Sequence, residues 1–360
     1  MAELLKERYN EEYINILADE IKLIHPTLNK EAFFESIFDK SWGEKGLKQR
    51  MRHITIVLYD FLPPKYNLAI NILKVVFTKM NYDFGLQNMV FQDFVETYGL
   101  NYFNKSMEAL ECFTKQCSSE FAIRQFIVMY PEKSMEQMRI WAKHENLHVR
   151  RLASEGCRPK LPWAIALKKF QKDPSKVIEV LDILKDDNCK YVQKSVANNL
   201  NDISKDNPQL VIDIAKKWMG TKNRDWIIKH GSRTLLKDGN IDILRIFGFN
   251  DPKEIKLSNF LLNNEVKMGE DLKFSFELNS DYNLGKLRIE YAVYYLRKRN
   301  KYNKKVFQIS EGIFEEKNKK FKKKCSFRII TTRKYYAGLH KIAVILNGVE
   351  QEIKEFTLHE

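Results

Sequence analysis

The chain has 360 residues, with 61 Lys and Arg against 47 Asp and Glu, which gives a formal net charge of +14 and a pI near 9.3. This length suits two domains that each bury a core. No apolar run approaches the roughly 20 residues of a membrane span, and the polar N-terminus is unlike a signal peptide. We therefore expect a soluble, cytoplasmic protein with no membrane contact.

The cysteines and glycines exclude several classes of site. Cys112, Cys117, Cys157, Cys189 and Cys325 are scattered, with no CxxC pair and no histidine at ligand spacing, which indicates a reducing compartment and argues against zinc. No glycine-rich phosphate loop and no βαβ alternation are present, so the nucleotide-binding folds are excluded. A metal-dependent nuclease is disfavoured, because we see no clustered Asp and Glu pair of the DxD or ExK kind in a sheet context. We expect neither a metal nor a cofactor.

The positive charge is unevenly distributed along the chain. Residues 258–360 carry 21 Lys and Arg against 13 Asp and Glu, a net charge of +8, which leaves +6 for the rest. The field of a basic protein attracts nucleic acids or acidic membrane surfaces. The alternative is a solvated, lysine-rich surface that binds nothing.

Residues 1–250 are predicted to be helical throughout. Apolar side chains recur at spacings of three and four, for example at Tyr9, Tyr13, Ile16 and Leu17. In the second half, similar segments begin at Val149, Val192 and Ile227, at offsets of 43 and 35. Two-helix units of roughly 35 to 45 residues are typical of HEAT-type repeats, which stack into a solenoid. We expect an all-α HEAT-like domain here.

The second helices of such repeats line a concave face, so their polar positions matter. These positions are Arg150, Arg151, Glu155, Lys194, Asn198, Lys229, His230 and Arg233. A basic groove of this kind would hold a DNA duplex. HEAT repeats are also protein-binding scaffolds, so the fold alone does not decide the function.

Residues 258–360 predict a small all-β immunoglobulin-like sandwich after a linker near 249–252. Apolar residues alternate with polar ones, as at Phe274, Phe276 and Leu278, and Asn347-Gly348 predicts a two-residue hairpin turn. Roughly seven short strands fit such a sandwich. The basic runs at 297–299, 304–305 and 317–324 favour a DNA-contacting surface. The alternative is lysine protection of edge strands.

The most informative stretch is WAKHENLHVRRLASEGCRPKLPW, residues 141–163. We expect one helix to end at Trp141–Ala142, a turn through 144–146, and a second helix over 149–155. Gly156 is expected to stop that helix in the left-handed conformation. One face is predicted to be buried and to carry Val149, Leu152 and Ala153. Toward the other face lie Arg150, Arg151 and Glu155, and next along the chain come Arg158, Lys160 and Trp163.

This stretch strongly resembles the AlkC branch of the AlkC/AlkD alkylation-repair DNA glycosylases, and the resemblance continues through residues 195–202, SVANNLND. It covers most of the chain, and an immunoglobulin-like tail occurs in part of that family. The resemblance implies excision of cationic N-methylated bases, such as 3-methyladenine and 3-methylcytosine, from double-stranded DNA. It implies that the lesion is not fully extruded into a pocket. We expect a monomer in the bacterial cytoplasm, associated with the nucleoid when bound to DNA.

The resemblance also implies which residues act. The family's functional positions map onto Glu120, Arg151, Glu155, Trp163 and Asp202, with Glu120 in the least distinctive motif, SSEFAIRQF. A cationic base is already a good leaving group, so carboxylates that stabilise an oxocarbenium-like sugar and position water suffice. We therefore rank Glu155 and Asp202 above any histidine. The expected DNA-binding cations are Arg150, Arg151, Arg158, Lys160, Lys194, Lys229, His230 and Arg233.

Each predicted role has a structural alternative. Glu155 could pair with Arg151 on a solvated helix face, Trp163 could be a core residue after Pro162, and Asp202 could cap the next turn. For the whole chain, the alternative function is a non-catalytic HEAT-repeat scaffold that binds DNA or a protein. Release of methylated base from DNA would separate the two functions.

Overall fold

The computed structural model describes residues 4–330 and 334–360, which fold as two compact units. One unit comprises the residues through Asn207 together with Trp218–Gly231. The other comprises Pro208–Lys217 and Ser232–Glu360. The chain therefore does not divide at a single peptide bond.

Helices fill the chain as far as residue 246. They are α1 Glu11–Ile24, α2 Lys30–Ile37, α3 Leu47–Phe61, α4 Tyr66–Lys79, α5 Met89–Tyr98, α6 Phe103–Thr114, α7 Ile123–Met129, α8 Pro131–Trp141, α9 Leu147–Gly156, α10 Lys168–Lys172, α11 Ser175–Leu184, α12 Lys190–Ile203, α13 Pro208–Trp218, α14 Lys222–Gly231, α15 Arg233–Lys237 and α16 Ile241–Ile246. Asparagine starts several of them. Asn10, Asn29 and Asn146 each accept a hydrogen bond from a backbone N–H in the first turn of the following helix.

The repeat pattern corresponds to a stack of second helices. α9 packs on α12, and α12 packs on α14. The residues that begin the three similar segments, Val149, Val192 and Ile227, are fully buried in this stack. The prediction of HEAT-like helical repeats is confirmed, because the recurring apolar face is the face that joins successive repeats.

Gly156 does not have the role predicted for it. It is the last residue of α9, and its φ is not in the left-handed region. A Cβ at this position would lie 2.7 Å from Ile123 Cγ2. The prediction of a left-handed stop was wrong, because glycine is required here for close helix packing rather than for backbone freedom.

The second part of the chain forms a β-sandwich. Its strands are β1 Lys256–Leu262, β2 Glu265–Lys267, β3 Asp271–Asn279, β4 Gly285–Leu296, β5 Tyr302–Phe314, β6 Asn318–Ser326, β7 Gly338–Leu346 and β8 Val349–His359. One sheet has the order β1-β3-β6 and the other β2-β8-β7-β4-β5. β3 alternates as predicted, with Phe274, Phe276 and Leu278 in the core. The prediction of an all-β immunoglobulin-like sandwich after the repeats is confirmed.

The hairpin between β7 and β8 has the predicted turn. Asn347 and Gly348 both have positive φ, 45° and 81°, as a two-residue type I′ turn requires. The turn also contacts the segment before the sandwich. The Asn347 side chain donates to the Asn250 carbonyl at 2.8 Å, and a Cβ on Gly348 would lie 2.7 Å from Gly239 Cα. Residues 232–250 therefore pack with the sandwich, which differs from the predicted division into 1–250 and 258–360.

Two of the three basic runs, 304–305 and 317–324, lie on or beside edge strands of the sandwich, and the run at 297–299 lies between β4 and β5. β5 and β6 are the outer strands of their sheets. On β6, Lys320 pairs with Glu277 at 3.0 Å and Lys324 pairs with Asp271 at 2.9 Å. This placement agrees with the edge-protection alternative, and the predicted DNA contact of these lysines stays a prediction.

Candidate active site

The polar face of α9 is covered by other parts of the protein rather than solvated. Glu155 is only 5% exposed. Its Oε1 accepts from Arg158 Nη1 at 2.6 Å and lies 3.6 Å from Arg151 Nη2. Its Oε2 accepts from Ser195 Oγ of α12 at 2.6 Å. The alternative of a solvated Arg151–Glu155 pair is thus wrong, because α12 covers this face.

Arg158 joins two buried carboxylates. Besides Glu155, its Nε donates to Asp202 Oδ2 at 2.8 Å. Burial acts to lower the pKa of Arg158, but the charges of Glu155 and Asp202 outweigh burial and raise it above its ordinary value. Asp202 lies inside α12 and also accepts from Lys205 at 3.1 Å. The alternative of Asp202 as a helix cap is therefore wrong.

Glu120 and Arg151 extend this network toward α7. Arg151 Nη1 donates to Glu120 Oε2 and, at 2.7 Å, to Ser118 Oγ. Ser118 Oγ in turn donates to Glu120 Oε2 at 2.8 Å. The guanidinium carbon of Arg151 lies 4.9 Å from the centroid of the Tyr191 ring, a cation–π contact. Both hydrogen bonds to Glu120 reach Oε2, and Oε1 accepts none from the described residues.

Trp163 lies on the loop between α9 and α10, residues 157–167, which is called the α9–α10 loop below. Its side chain is 82% exposed, so the alternative of a core residue is wrong. Its φ is +63°, in the left-handed region that costs a non-glycine residue about 1–2 kcal/mol. Lys48 Nζ of α3 donates to the Trp163 carbonyl at 2.8 Å. An exposed indole on strained backbone suggests a function rather than packing.

Four of the predicted site residues line a cleft of about 1020 Å³ within the helical unit. Its lining includes Glu120, Glu155, Arg158 and Trp163 from the predicted site. It also includes residues of α3 and α5 that the sequence analysis did not predict. Most of the remaining lining is apolar, for example Met51, Met89, Phe121, Leu161 and Ile165. An apolar cleft with a few convergent polar groups is the usual form of a binding site.

α3 and α5 also contribute charged groups to this cleft. Arg52 donates to both oxygens of Asp93 at 2.8 Å. Burial raises the pKa of the neighbouring Glu96, and the negative charge of Asp93 raises it further. The sequence could not reveal these residues, because they reach the cleft from helices that lie about 60 to 100 residues before Glu155.

Several of the predicted DNA-binding cations make ion pairs within the protein. Arg150 donates to Asp187 Oδ2 at 2.6 Å and to two carbonyls of the loop before α9, Arg158 is buried as described, and Lys160 pairs with Asp206 at 2.7 Å. The structure gives these three a structural partner. Lys194 and Lys229 are exposed, and His230 stacks on Trp226 with ring centroids 5.1 Å apart. Arg233 begins α15 in the other unit.

Among residues 4–330 and 334–360, no group of three His, Cys, Asp or Glu side chains could hold a metal ion. Within the same ranges, no helix is long and apolar enough to cross a membrane.

Comparison with known proteins agrees with this combination of fold and site. Residues 116–235 match the family model described as DNA alkylation repair enzyme. This range of the chain includes Glu120, Glu155 and Asp202. Residues 256–360 match the model described as the C-terminal Ig-like domain of the uncharacterised protein YhaZ. Helical repeats carrying the ion-paired carboxylates, followed by this domain, define a class of DNA alkylation repair proteins.

Two relatives match over almost the full length. The chain is 32% identical to the Pseudomonas fluorescens alkylpurine DNA glycosylase AlkC, solved bound to DNA containing an abasic site analog, with a TM-score of 0.93 and coverage of 99% of this chain and 100% of that one. It is 42% identical over 355 residues to the uncharacterized protein YhaZ of Bacillus subtilis strain 168, covering 98% of each. The chain belongs to the AlkC-type family of DNA alkylation repair proteins.

Proposed function

We propose that this protein is a DNA glycosylase of base excision repair. It hydrolyses the N-glycosidic bond of cationic N-methylated bases, such as 3-methyladenine and 3-methylcytosine, in double-stranded DNA. The observation that carries the proposal is the cluster in which Glu120, Glu155 and Asp202 pair with two arginines. Glu120, Glu155 and one of these arginines, Arg158, share a cleft with the exposed Trp163. The similarity to a structure of an alkylpurine DNA glycosylase bound to DNA supports it.

The charge of the cluster suits a cationic transition state. Three carboxylates share Arg151 and Arg158, so the cluster has one net negative charge before the partly exposed Lys205 is counted. Electrostatic interactions are strengthened where water is excluded. When the glycosidic bond breaks, positive charge moves from the base to the sugar, and a fixed negative field stabilises it. The reaction needs no proton donor, because the departing base becomes neutral.

The geometry changes the ranking of the carboxylates. The sequence ranked Glu155 and Asp202 first, yet all four of their oxygens accept hydrogen bonds or ion pairs within the protein. Glu120 Oε1 accepts none from the described residues. We propose that Glu120 orients the attacking water, and that Glu155 and Asp202 act through the field and through Arg158.

Trp163 is proposed to contact the damaged nucleotide at the mouth of the cleft. An exposed indole can stack on a sugar or a cationic base, and cation–π attraction contributes roughly 0.5–2 kcal/mol depending on exclusion of water. A side chain that projects toward the duplex reads the lesion where it lies, which agrees with excision without full base flipping. Arg151, which donates to Glu120 and Ser118, is proposed to hold Glu120 in place beside the lesion.

The decisive experiment compares bases that differ in charge. Duplexes containing 3-methyladenine, 3-methylcytosine, uracil or 1,N6-ethenoadenine would be incubated with the protein, and free base would be measured. We expect release of the two cationic bases and none of the neutral ones. Release of neutral bases would contradict the mechanism. Binding to all four duplexes with no release of any base would favour the scaffold alternative.

A further inference from the structure

Arg124 has an environment that packing alone does not explain. It lies in the first turn of α7 and is 0% exposed. Burial lowers the pKa of Arg124 to about 10. A positive charge near a helix N-terminus is also unfavourable, because the helix dipole has its positive end there. An arginine held at this cost must make contacts that a neutral side chain cannot replace.

Those contacts all go to backbone carbonyls at the two ends of the α9–α10 loop. Arg124 Nη1 donates to Gly156 at 3.1 Å and to Arg158 at 2.8 Å, where the loop begins. Its Nε donates to Ile165 at 2.8 Å, where the loop ends. A guanidinium has donors on a rigid planar fork, so one side chain can fix both ends at once.

The tip of the same loop is held from another helix. Lys48 Nζ donates to the Trp163 carbonyl at 2.8 Å and lies 5.7 Å from the Phe121 ring centroid. The backbone of Trp163 is in the left-handed region. Such a conformation persists when surrounding contacts hold it in place. Here Arg124 holds the two ends of the loop, and Lys48 holds its tip.

We infer that Arg124 and Lys48 are positioning residues that fix the α9–α10 loop at its two ends and at its tip. The loop presents Trp163 to the duplex in a single place, and it holds Arg158 between Glu155 and Asp202. The consequence for catalysis rests on the proposed function. The restraint on the loop does not, and it can be measured in the protein without DNA.

The test uses Arg124→Lys, which keeps the charge and loses the fork, and Arg50→Lys as its matched control. Arg50 is also a buried arginine, and it does not line the cleft. It donates to the backbone carbonyl of Lys6 and to the carboxylate of Glu7. Misplacing a reactive group by about 1 Å can cost on the order of 10²-fold in rate. We expect Arg124→Lys to lower the single-turnover excision rate by about that factor with little change in DNA affinity. Arg50→Lys should lower the melting temperature and leave the rate unchanged.

Acrylamide quenching of Trp163, isolated by subtracting a Trp163→Phe protein, reports the loop without requiring activity. Both Arg124→Lys and Lys48→Met should change this quenching. Lys45→Met removes a charge from the same cleft and should leave the quenching as it is. Because Lys48 lies at a surface, its variant tests the restraint even if Arg124→Lys does not fold.

A double-mutant cycle with Trp163→Ala completes the test. If Arg124 acts through Trp163 and Arg158, its effect on the rate should be smaller when Trp163 is already absent. Equal rates for Arg124→Lys and Arg50→Lys would overturn the inference, as would unchanged quenching in both loop variants. If the wild-type protein released no base, the proposed function would fall, and the quenching would still decide the role of Arg124.

Discussion

Three carboxylates of the site differ in how many of their oxygens the protein already uses, and this difference predicts separable effects of substitution. Glu120→Gln should raise the excision barrier by about 2–4 kcal/mol, the cost of losing one preorganised electrostatic group. Glu155→Gln and Asp202→Asn should raise the barrier similarly. They should also lower stability, because they leave Arg158 with one buried partner instead of two. Single-turnover rates and urea unfolding measure the two effects.

DNA affinity provides the control for these substitutions. None of the three carboxylates attracts phosphate, so binding to undamaged DNA should stay nearly constant in all three proteins. Full excision activity in Glu120→Gln would show that another group positions the water. A large loss of stability in Glu120→Gln would show that Glu120 stabilises the fold more than the 15% exposure of its side chain indicates.

Glu96 predicts a pH dependence of stability. Burial, followed by the charge of Asp93, raises its pKa from the ordinary value of 4.5. The folded protein therefore keeps this proton to a higher pH than the unfolded chain does. The stabilisation is complete below pH 4.5 and is lost as the pH rises through the raised value. Glu96→Gln should thus gain in melting temperature relative to wild type as the pH rises to 8.

Glu108 gives a control of opposite sign for that experiment. A hydrogen bond from Lys105 lowers its pKa, so its contribution is present above the ordinary value and is lost as the pH falls through the lowered one. The melting temperature of Glu108→Gln, compared with that of the wild type at the same pH, should fall slightly on going from low to neutral pH. The same slope in both variants would contradict the assignment of the Glu96 effect to burial.

The sequence predicted local faces well and long-range partners poorly. The spacing of Val149, Leu152 and Ala153 predicted a buried face, and all three are fully buried. The same spacing left a solvated Glu155 open as an alternative, because the covering helix α12 begins 35 residues later. Arg124 gave no signal, since its role depends on carbonyls 32 to 41 residues away. Backbone groups contribute to a site without leaving any trace in residue type.

At the scale of elements, the β7–β8 turn predicts a steric effect that can be separated from backbone strain. Gly348 and Gly269 both have positive φ, so alanine is strained at either position. A Cβ at Gly348 meets Gly239 Cα at 2.7 Å, whereas nothing lies within 4 Å at Gly269. Gly348→Ala should therefore lower the melting temperature more than Gly269→Ala. Equal losses would mean that strain alone sets the cost.

Turns and alternating strands were the elements best predicted from sequence. Asn347-Gly348 and the apolar alternation of β3 depend on neighbours in the chain, and the structure confirms both. The end of α9 depends instead on Ile123, 33 residues earlier, which fills the space that a Cβ at Gly156 would take. Glycine after a periodic segment has two physical explanations, and only a tertiary contact distinguishes them.

For the whole molecule, the net charge of +14 predicts DNA binding that weakens with salt. The logarithm of affinity should fall linearly with the logarithm of salt concentration, with a slope of about −0.9 per phosphate neutralised. Lys194 is exposed on α12, and Lys194→Ala should reduce the magnitude of this slope by roughly one. Arg150→Ala should leave the slope unchanged, because Arg150 is committed to Asp187. Titrations at several salt concentrations would measure both.

An affinity that does not change with salt concentration in the wild-type protein would contradict electrostatic binding altogether. A reduced slope in Arg150→Ala would show that DNA displaces Asp187 from this arginine. The comparison thus separates cations that the protein has already neutralised from cations available to phosphate. Composition alone counts both kinds equally, which is why net charge predicts a ligand class but not a contact surface.

The chain passes between the two compact units three times, after residues 207, 217 and 231. A domain joined by one linker can be transferred between proteins by a single insertion or deletion, and each half then keeps all of its own chain. Here any single break leaves one unit without a segment that belongs to it. A gene fragment that begins at residue 232 would therefore encode the sandwich without Pro208–Lys217, a segment that belongs to the same unit.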